Sequence, residues 1–137
     1  MKKVQFNNTD LQVSALCLGT ANYGTSRSAE VAFEQMDLFA DLGGNFIDTA
    51  LVYGDWASEV AGISEIVIGR WLTERKKRND VVISTKGCHP PLADMNAPRV
   101  NPTELRADVE HSLQNLNTDY IDMYFLHRDD PAVPVAE

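Results

Sequence analysis

Four side chains that could act together on a carbonyl group are widely separated along this chain. They are Asp48, Tyr53, Lys86 and His127. Three of them lie at or just past the carboxyl end of a strand-like run, and Tyr53 lies in the segment that follows Asp48. In a parallel βα barrel the carboxyl ends of the strands meet at one rim, where the active sites of such barrels are found. We therefore expect the four side chains to converge there.

Together these groups could support reduction of a carbonyl. Hydride addition leaves an alkoxide that needs a proton, and Tyr53 is the candidate donor. A free tyrosine, with a pKa of about 10, gives up its proton reluctantly at neutral pH, and a neighbouring lysine ammonium would favour the phenolate. Asp48 would keep Lys86 charged and oriented. His127 could donate a hydrogen bond to the carbonyl oxygen, which would orient the substrate and stabilise the developing charge.

Each of these residues also has an ordinary explanation. Lys86 could be a solvated strand end, Tyr53 an amphipathic core residue, and Asp48 the cap of a turn. His127 begins the polar segment 127–130 (HRDD), which could be a loop or a metal site, but no second histidine lies at ligand spacing and we expect no metal. Strand periodicity places Lys86 on the same side as Ser84, toward the barrel mouth. The coincidence at three successive strand ends favours function.

The hydrophobic pattern predicts the elements that must position these groups. They are a β-hairpin with strands near 4–6 and 11–13, strands near 15–18, 45–49, 81–85 and 120–126, and helices over 28–42, from about 64, and from 102. The third helix has the clearest start, since residues 101–104 (NPTE) offer an N-cap, a proline at the first position and a capping-box glutamate, Glu104. Its apolar face is predicted from Leu105, Val109, Leu113 and Leu116. Pro131 and Pro134 indicate a fourth helix that has barely begun.

Strand and helix therefore alternate with short connections, which predicts parallel strands joined by helical crossovers. A doubly wound open sheet would show the same alternation, but its phosphate-binding GxGxxG should follow the first strand. Residues 19–24 (GTANYG) do not match that motif. The prediction is a single α/β domain over residues 1–137, with a hairpin over 1–14 and βα units of a barrel over 15–137.

Composition argues against several classes of partner. A net charge of −8 would repel a phosphate backbone, so nucleic acid is not expected. No signal-peptide core follows Met1, and no apolar run reaches membrane-spanning length, so no membrane partner is expected. Cys17 and Cys88 lie far apart without a CxxC motif, which is typical of a reducing compartment. We therefore expect a cytoplasmic protein.

The sequence resembles the N-terminal half of the aldo-keto reductase family. The likeness covers essentially the whole chain, in the family's order, at residues 19–24 (GTANYG), 45–50 (NFIDTA), 53–54 (YG), 64–65 (SE), 68–69 (IG), 84–86 (STK), 119–124 (DYIDMY) and 126–127 (LH). The resemblance implies that Asp48, Tyr53, Lys86 and His127 match the catalytic tetrad, with Tyr53 as general acid. It also implies NADPH-dependent reduction of an aldehyde or ketone in a (β/α)8 TIM barrel.

The resemblance also indicates what this chain lacks. Most cofactor contacts of the family come from the second half of the barrel, and here only Thr20, Ala21 and Asp48 match cofactor-binding positions. Trp56, in a loop longer than that of the simplest members, is a candidate for the substrate pocket, with packing on the rim as the equal alternative. The segment 88–91 (CHPP) could also border the substrate, although stiffening of the loop by its prolines explains it as well.

Half of a barrel would leave its first and last strands with open edges and expose the residues that face a filled interior, such as Phe46, Met123 and Phe125. The first expectation is that the missing C-terminal half covers these edges, the second that two copies associate, and the third that the half sheet opens into a different layer. Activity of the 137-residue chain alone is therefore doubtful.

Two other functions stay open on the sequence. The chain could be a non-catalytic module that binds a partner through its sheet edges. It could also belong to a different barrel enzyme, such as an aldolase in which Lys86 forms a Schiff base.

Overall fold

A computed structural model describes residues 1–134, and its central feature is a four-stranded parallel sheet backed by three helices. The strands are β1 Lys3–Gln5, β2 Gln12–Ser14, β3 Leu18–Gly19, β4 Phe46–Asp48, β5 Val82–Gly87 and β6 Met123–Leu126, and the helices are α1 Ala29–Asp41, α2 Ile63–Arg75 and α3 Pro102–Asn115. The parallel sheet has the order β3-β4-β5-β6, while β1 and β2 form an antiparallel hairpin. Strands paired in chain order confirm the predicted partial (β/α) barrel.

Helix α1 has the boundaries that the sequence predicts. The Ser28 side chain accepts a hydrogen bond from the amide of Val31 and so caps the first turn. At the other end, Gly43 has a φ of +81°, which a residue with a side chain adopts only with strain. Buried Phe33 and Met36 pack this helix into the core.

The core lies between the helices and the outer face of the sheet. Ile47 of β4 and Ile83 of β5 are almost completely buried there. Helix α2 covers them with the predicted face of Val67, Ile68, Trp71 and Leu72, all buried. Gly69 of α2 permits close approach to α3, since a Cβ atom at this position would clash with the backbone at Asn115 and Leu116.

Helix α3 corrects two details of the prediction. Asn101 caps it, accepting hydrogen bonds from the amides of Thr103 and Glu104, with Pro102 in the first turn as predicted. The capping box is wrong, because the Glu104 carboxylate binds the Arg99 guanidinium instead.

The predicted apolar face of α3 is also only partly correct. Leu105, Val109 and Leu113 are half-buried, whereas the fully buried positions within the helix are Asp108 and Ser112. Asp108 is turned inward because its carboxylate is satisfied by the loop that follows β5. Hydrophobic periodicity counts apolar residues and so misses a buried carboxylate.

Contacts at the amino ends of the strands lock the sheet. The Arg78 guanidinium lies 2.8 Å from a carboxylate oxygen of Asp122, contacts the carbonyl oxygen of Tyr120 at 2.9 Å and stacks 3.6 Å from the Tyr120 ring centroid. The same Asp122 oxygen accepts a hydrogen bond from the Ile83 amide. These contacts, which we call the Arg78 clamp, tie β5 to the segment that leads into β6.

The hairpin is attached at the same end. The Asn45 side chain accepts from the Ser14 amide at 2.7 Å and donates to the Gln12 carbonyl at 2.9 Å. The Ser14 hydroxyl in turn accepts from the amides of Asn45 and Phe46. The hairpin thus lies beside the entry to β4, away from the carboxyl ends of the strands.

The other face of the sheet is open. Within residues 1–134, β3 and β6 each have one strand neighbour. Phe125 of β6 is 45% exposed, and nothing lies within 4 Å of a Cβ atom built on Gly19 of β3. The predicted fourth helix does not form before residue 134, since 131–133 make a turn and bend, and residues 135–137 lie outside the described part of the chain.

None of the helices in the described part of the chain has the length and apolarity needed to cross a lipid bilayer.

Candidate active site

Asp48 and Lys86 form an ion pair at the carboxyl ends of adjacent strands. Parallel pairing sets Asp48 of β4 beside Ser84 of β5, and Lys86 lies two residues further along the same face. Lys86 Nζ is 2.8 Å from each carboxylate oxygen of Asp48 and 2.7 Å from the Thr49 carbonyl oxygen. The Ser84 hydroxyl also donates to Asp48, at 2.6 Å. The carboxylate is thereby held in one orientation from two residues of β5.

Tyr53 reaches the same ammonium from the loop after β4. Its hydroxyl oxygen is 3.2 Å from Lys86 Nζ, which also lies 4.7 Å from the centroid of its ring. The loop folds back because the Leu51 amide donates to the Lys86 carbonyl and the Tyr53 amide donates to the Ala50 carbonyl, each at 3.0 Å. The Lys86 ammonium therefore lies between the Asp48 carboxylate and the Tyr53 phenol.

His127 closes the group from the end of β6. Its backbone amide donates to the Gly87 carbonyl oxygen at 2.8 Å, continuing the strand pairing. Its ring meets the Tyr53 ring edge to face, with centroids 5.9 Å apart. Burial, followed by the charges of His89, Lys86 and Arg128, lowers the pKa of His127 to about 4 against the opposing effect of Asp48. At neutral pH this imidazole is uncharged and can donate a hydrogen bond from one ring nitrogen.

The four predicted residues are thus brought together, as the strand-end argument requires. Their catalytic roles stay predictions. The group pairs a proton donor with an adjacent cation and adds a neutral hydrogen-bond donor beside it. An arrangement of this kind can protonate an oxygen that becomes negatively charged during a reaction.

The predicted cofactor and substrate residues occupy different surroundings. Thr20 is buried, and its hydroxyl donates to the Asp48 carbonyl oxygen at 2.9 Å, so its side chain supports the strand ends. Ala21 is half-buried beside it. Trp56 is 53% exposed and contacts the Tyr53 ring edge to face, with centroids 6.4 Å apart. Their contacts with a cofactor or substrate stay predictions.

Two residues support this site in ways that the sequence did not indicate, although the segments 64–65 and 88–91 that contain them were noted. Glu65 on α2 is completely buried and accepts a 2.6 Å hydrogen bond from the hydroxyl of Thr85, the residue before Lys86. His89 contacts His127 with ring centroids 4.7 Å apart. A charged residue among the apolar positions Ile63, Ile66 and Ile68 of α2 was an available signal for Glu65. The position of His89 depends on loop geometry, which no periodicity reports.

We expect His127 to make the protein sensitive to acid. Because its pKa in the fold lies near 4, below the ordinary value of 6.5, the unfolded chain binds more protons between these values. The contribution of His127 to stability is therefore complete above about pH 6.5 and decreases as the pH falls toward 4. In the full-length protein, His127→Gln should flatten the dependence of the urea midpoint on pH in this window. His111→Gln, at an exposed position on α3, is the matched control for loss of a histidine outside the site.

Comparison with known proteins agrees with this geometry. The sequence model of the Aldo/keto reductase family matches residues 15–137. An uncharacterised oxidoreductase of Bacillus subtilis, YrpG, is 35% identical over all of this chain and 43% of its own length. Norsolorinic acid reductase B of Aspergillus parasiticus is 37% identical over 93% of the chain and 35% of its own length.

The fold is also similar to solved structures of aldo-keto reductases. Aldo-keto reductase AKR11C1 from Bacillus halodurans superposes with a TM-score of 0.82 at 32% identity, covering the whole chain and 43% of that structure. The chain thus spans less than half the length of the relatives it matches. With strand order, residue matches and superposition in agreement, this chain belongs to the aldo/keto reductase family.

Proposed function

We propose that the full-length protein reduces an aldehyde or ketone with NADPH, using Tyr53 as the general acid. The observation that carries this proposal is the position of the Lys86 ammonium, 3.2 Å from the Tyr53 hydroxyl and 2.8 Å from Asp48. Family membership supports oxidoreductase chemistry, and the relatives include proteins named as reductases.

In this proposal each residue has one task. When bound, NADPH supplies a hydride to the carbonyl carbon. The carbonyl oxygen, which gains the electron pair of the broken π bond, takes the proton of the Tyr53 hydroxyl and becomes an alcohol. The Lys86 ammonium stabilises the phenolate that remains, and Asp48 holds Lys86 in place. The uncharged His127 ring donates a hydrogen bond to the same oxygen and so fixes the substrate.

The described residues suit one wall of such a cofactor site. The space above Gly19 is open, and Ala21 and the Asp48 carboxylate lie at the same strand ends as Tyr53. Thr20 would contribute by holding Ala21 and Asp48 in place, because it is buried and its hydroxyl, amide and carbonyl groups are all bonded within the protein. Ala21 and Asp48, supported by Thr20, are therefore the residues proposed to hold NADPH on this side.

We also propose that the rest of the full-length protein covers the open edges of β3 and β6. The exposed Phe125 and the empty space at Gly19 support this, because both belong to the face that a closed barrel fills. The free thiols of Cys17 and Cys88 support a reducing, cytoplasmic location. Alternatively, two copies of the chain associate and cover these strand edges.

The experiment uses purified full-length protein with NADPH and 4-nitrobenzaldehyde as the probe carbonyl. We expect loss of NADPH absorbance that depends on the aldehyde, with turnover on the order of 10 per second, and formation of the alcohol in equal amount. Borohydride added with the aldehyde should leave Lys86 unmodified in the intact mass spectrum. A reduced adduct on Lys86 would instead support Schiff-base chemistry, and absence of both reactions would favour the non-catalytic partner-binding role.

A further inference from the structure

His89 packs against the candidate active site but has no part in the mechanism above. It follows β5 by two residues, and its ring meets that of His127 at 82° with centroids 4.7 Å apart. This is closer than the contact between Tyr53 and His127, at 5.9 Å. His127 therefore lies between two rings, one from the loop after β4 and one from the loop after β5.

The backbone around His89 is anchored to α3. Cys88 has a φ of +58°, a left-handed conformation that a non-glycine residue adopts at some cost. The Cys88 amide donates to the buried Asp108 carboxylate at 2.7 Å. The Arg99 guanidinium donates to the other Asp108 oxygen at 2.8 Å and to the His89 carbonyl oxygen at 3.1 Å. The loop is thus fixed on both sides of the histidine.

The two imidazoles differ in their hydrogen bonding. His89 Nδ1 lies 2.6 Å from the Pro90 carbonyl oxygen, which only accepts, so this nitrogen carries the proton when the bond forms. In the described part of the chain, His127 Nδ1 is buried and has no hydrogen-bond partner. A proton on that atom would be unsatisfied, which favours the tautomer of His127 with its proton on Nε2.

From these contacts we propose that His89 is a positioning residue of the site, which holds the His127 ring in the orientation in which Nε2 donates to the substrate. The proposal rests on the proposed function for its effect on catalysis. Its structural part concerns only the two histidines and can be measured without a substrate.

The charge around His127 is consistent with this role. The groups that face it are Lys86 from β5, His89 from the following loop, the adjacent Arg128, Asp48 from β4 and the Tyr53 phenol. His89, Lys86 and Arg128 all act against protonation of His127, and only Asp48 acts for it. Loss of the His89 imidazole should therefore make His127 easier to protonate.

The test uses two variants of the full-length protein, His89→Gln and His89→Phe. Both remove the imidazole, but only Phe keeps an aromatic ring against His127. With histidines labelled at ¹³Cε1, NMR titration should show the His127 signal titrating about one pH unit higher in both variants. The His127 signal is assigned by its absence from the spectrum of the His127→Gln variant. Steady-state reduction of 4-nitrobenzaldehyde should lose about tenfold in kcat for His89→Gln, with little change in KM for NADPH, and His89→Phe should recover most of this loss.

The outcomes separate the two proposals. If His127 titrates at the same pH in the wild type and both variants, the proposed role of His89 is overturned, whatever the activity. Equal loss of kcat in both variants would overturn the role of the ring contact. If the wild type does not reduce carbonyls, the proposed function fails, and the NMR titration still decides whether His89 acts on His127.

Discussion

Replacement of Tyr53 by Phe should lower kcat for carbonyl reduction by about 10³-fold, within the range expected for loss of a general acid. The change removes one oxygen atom and leaves the ring to contact Trp56 and His127. The Lys86 ammonium keeps its three other acceptor contacts, two to Asp48 and one to the Thr49 carbonyl, so the ion pair should persist. The expected loss is therefore in the chemical step, with NADPH binding unchanged.

The matched control for this change is Tyr120→Phe. Tyr120 is partly exposed, and its hydroxyl contacts Arg78 and Asn79 at the amino ends of the strands. Its replacement should leave kcat within about twofold of the wild type, as expected for a surface change remote from the site. Unchanged reductase activity in Tyr53→Phe would remove Tyr53 from the mechanism. Equal losses in both variants would indicate damage to the fold.

Replacement of Glu65 by Leu should lower the free energy of unfolding by about 3 kcal/mol, since one buried and one half-buried donor lose their acceptor. The donors are the Thr85 hydroxyl, 2.6 Å from one carboxylate oxygen, and the Asn115 amide, 3.1 Å from the other. Leu has a similar volume, so the cost arises from unsatisfied polar groups and little from a cavity. The urea midpoint of the full-length protein measures it, with Glu34→Leu at an exposed position of α1 as the control.

The variant Glu65→Gln distinguishes the effect of the Glu65 charge on stability from the effect of its hydrogen bonds. Burial raises the pKa of Glu65 above its ordinary value of 4.5, against the opposing hydrogen bonds from Thr85 and Asn115. The folded state therefore holds the proton more tightly than the unfolded chain, and this contribution to stability is lost as the pH rises from 4.5 through the raised value. Glu65→Gln should abolish that part of the pH dependence and still accept from Thr85. An identical pH dependence in the wild type and Glu65→Gln would show that burial does not perturb this carboxyl.

The convergence of Asp48, Lys86 and His127 could be predicted because strand periodicity and parallel pairing leave few alternatives. Side chains two residues apart share a face, and the carboxyl ends of parallel strands meet at one edge. Tyr53 lies in a loop, and its distance from Lys86 depends on how that loop folds back. Its assignment therefore came from spacing and the family resemblance.

The surroundings of His127 could not be predicted in the same way. The contact with His89 depends on the left-handed Cys88 and on an anchor, Arg99, that lies ten residues further along the chain. The burial of Asp108 on α3 could not be predicted either, because contacts from the loop after β5 determine which side chain of this helix is buried. Such positions are set by long-range polar contacts, and hydrophobic patterns do not record them.

The position of the Arg78 clamp has a consequence for how this scaffold could change its specificity. The clamp joins the strands at their amino ends, whereas the loops that carry Tyr53 and His89 leave from the carboxyl ends. Residues 90–98 could therefore be exchanged in a directed-evolution library without loss of the contacts that align β5 and β6. The residues that are varied to obtain new substrate specificity and the residues that stabilise the fold would then lie in separate parts of the molecule.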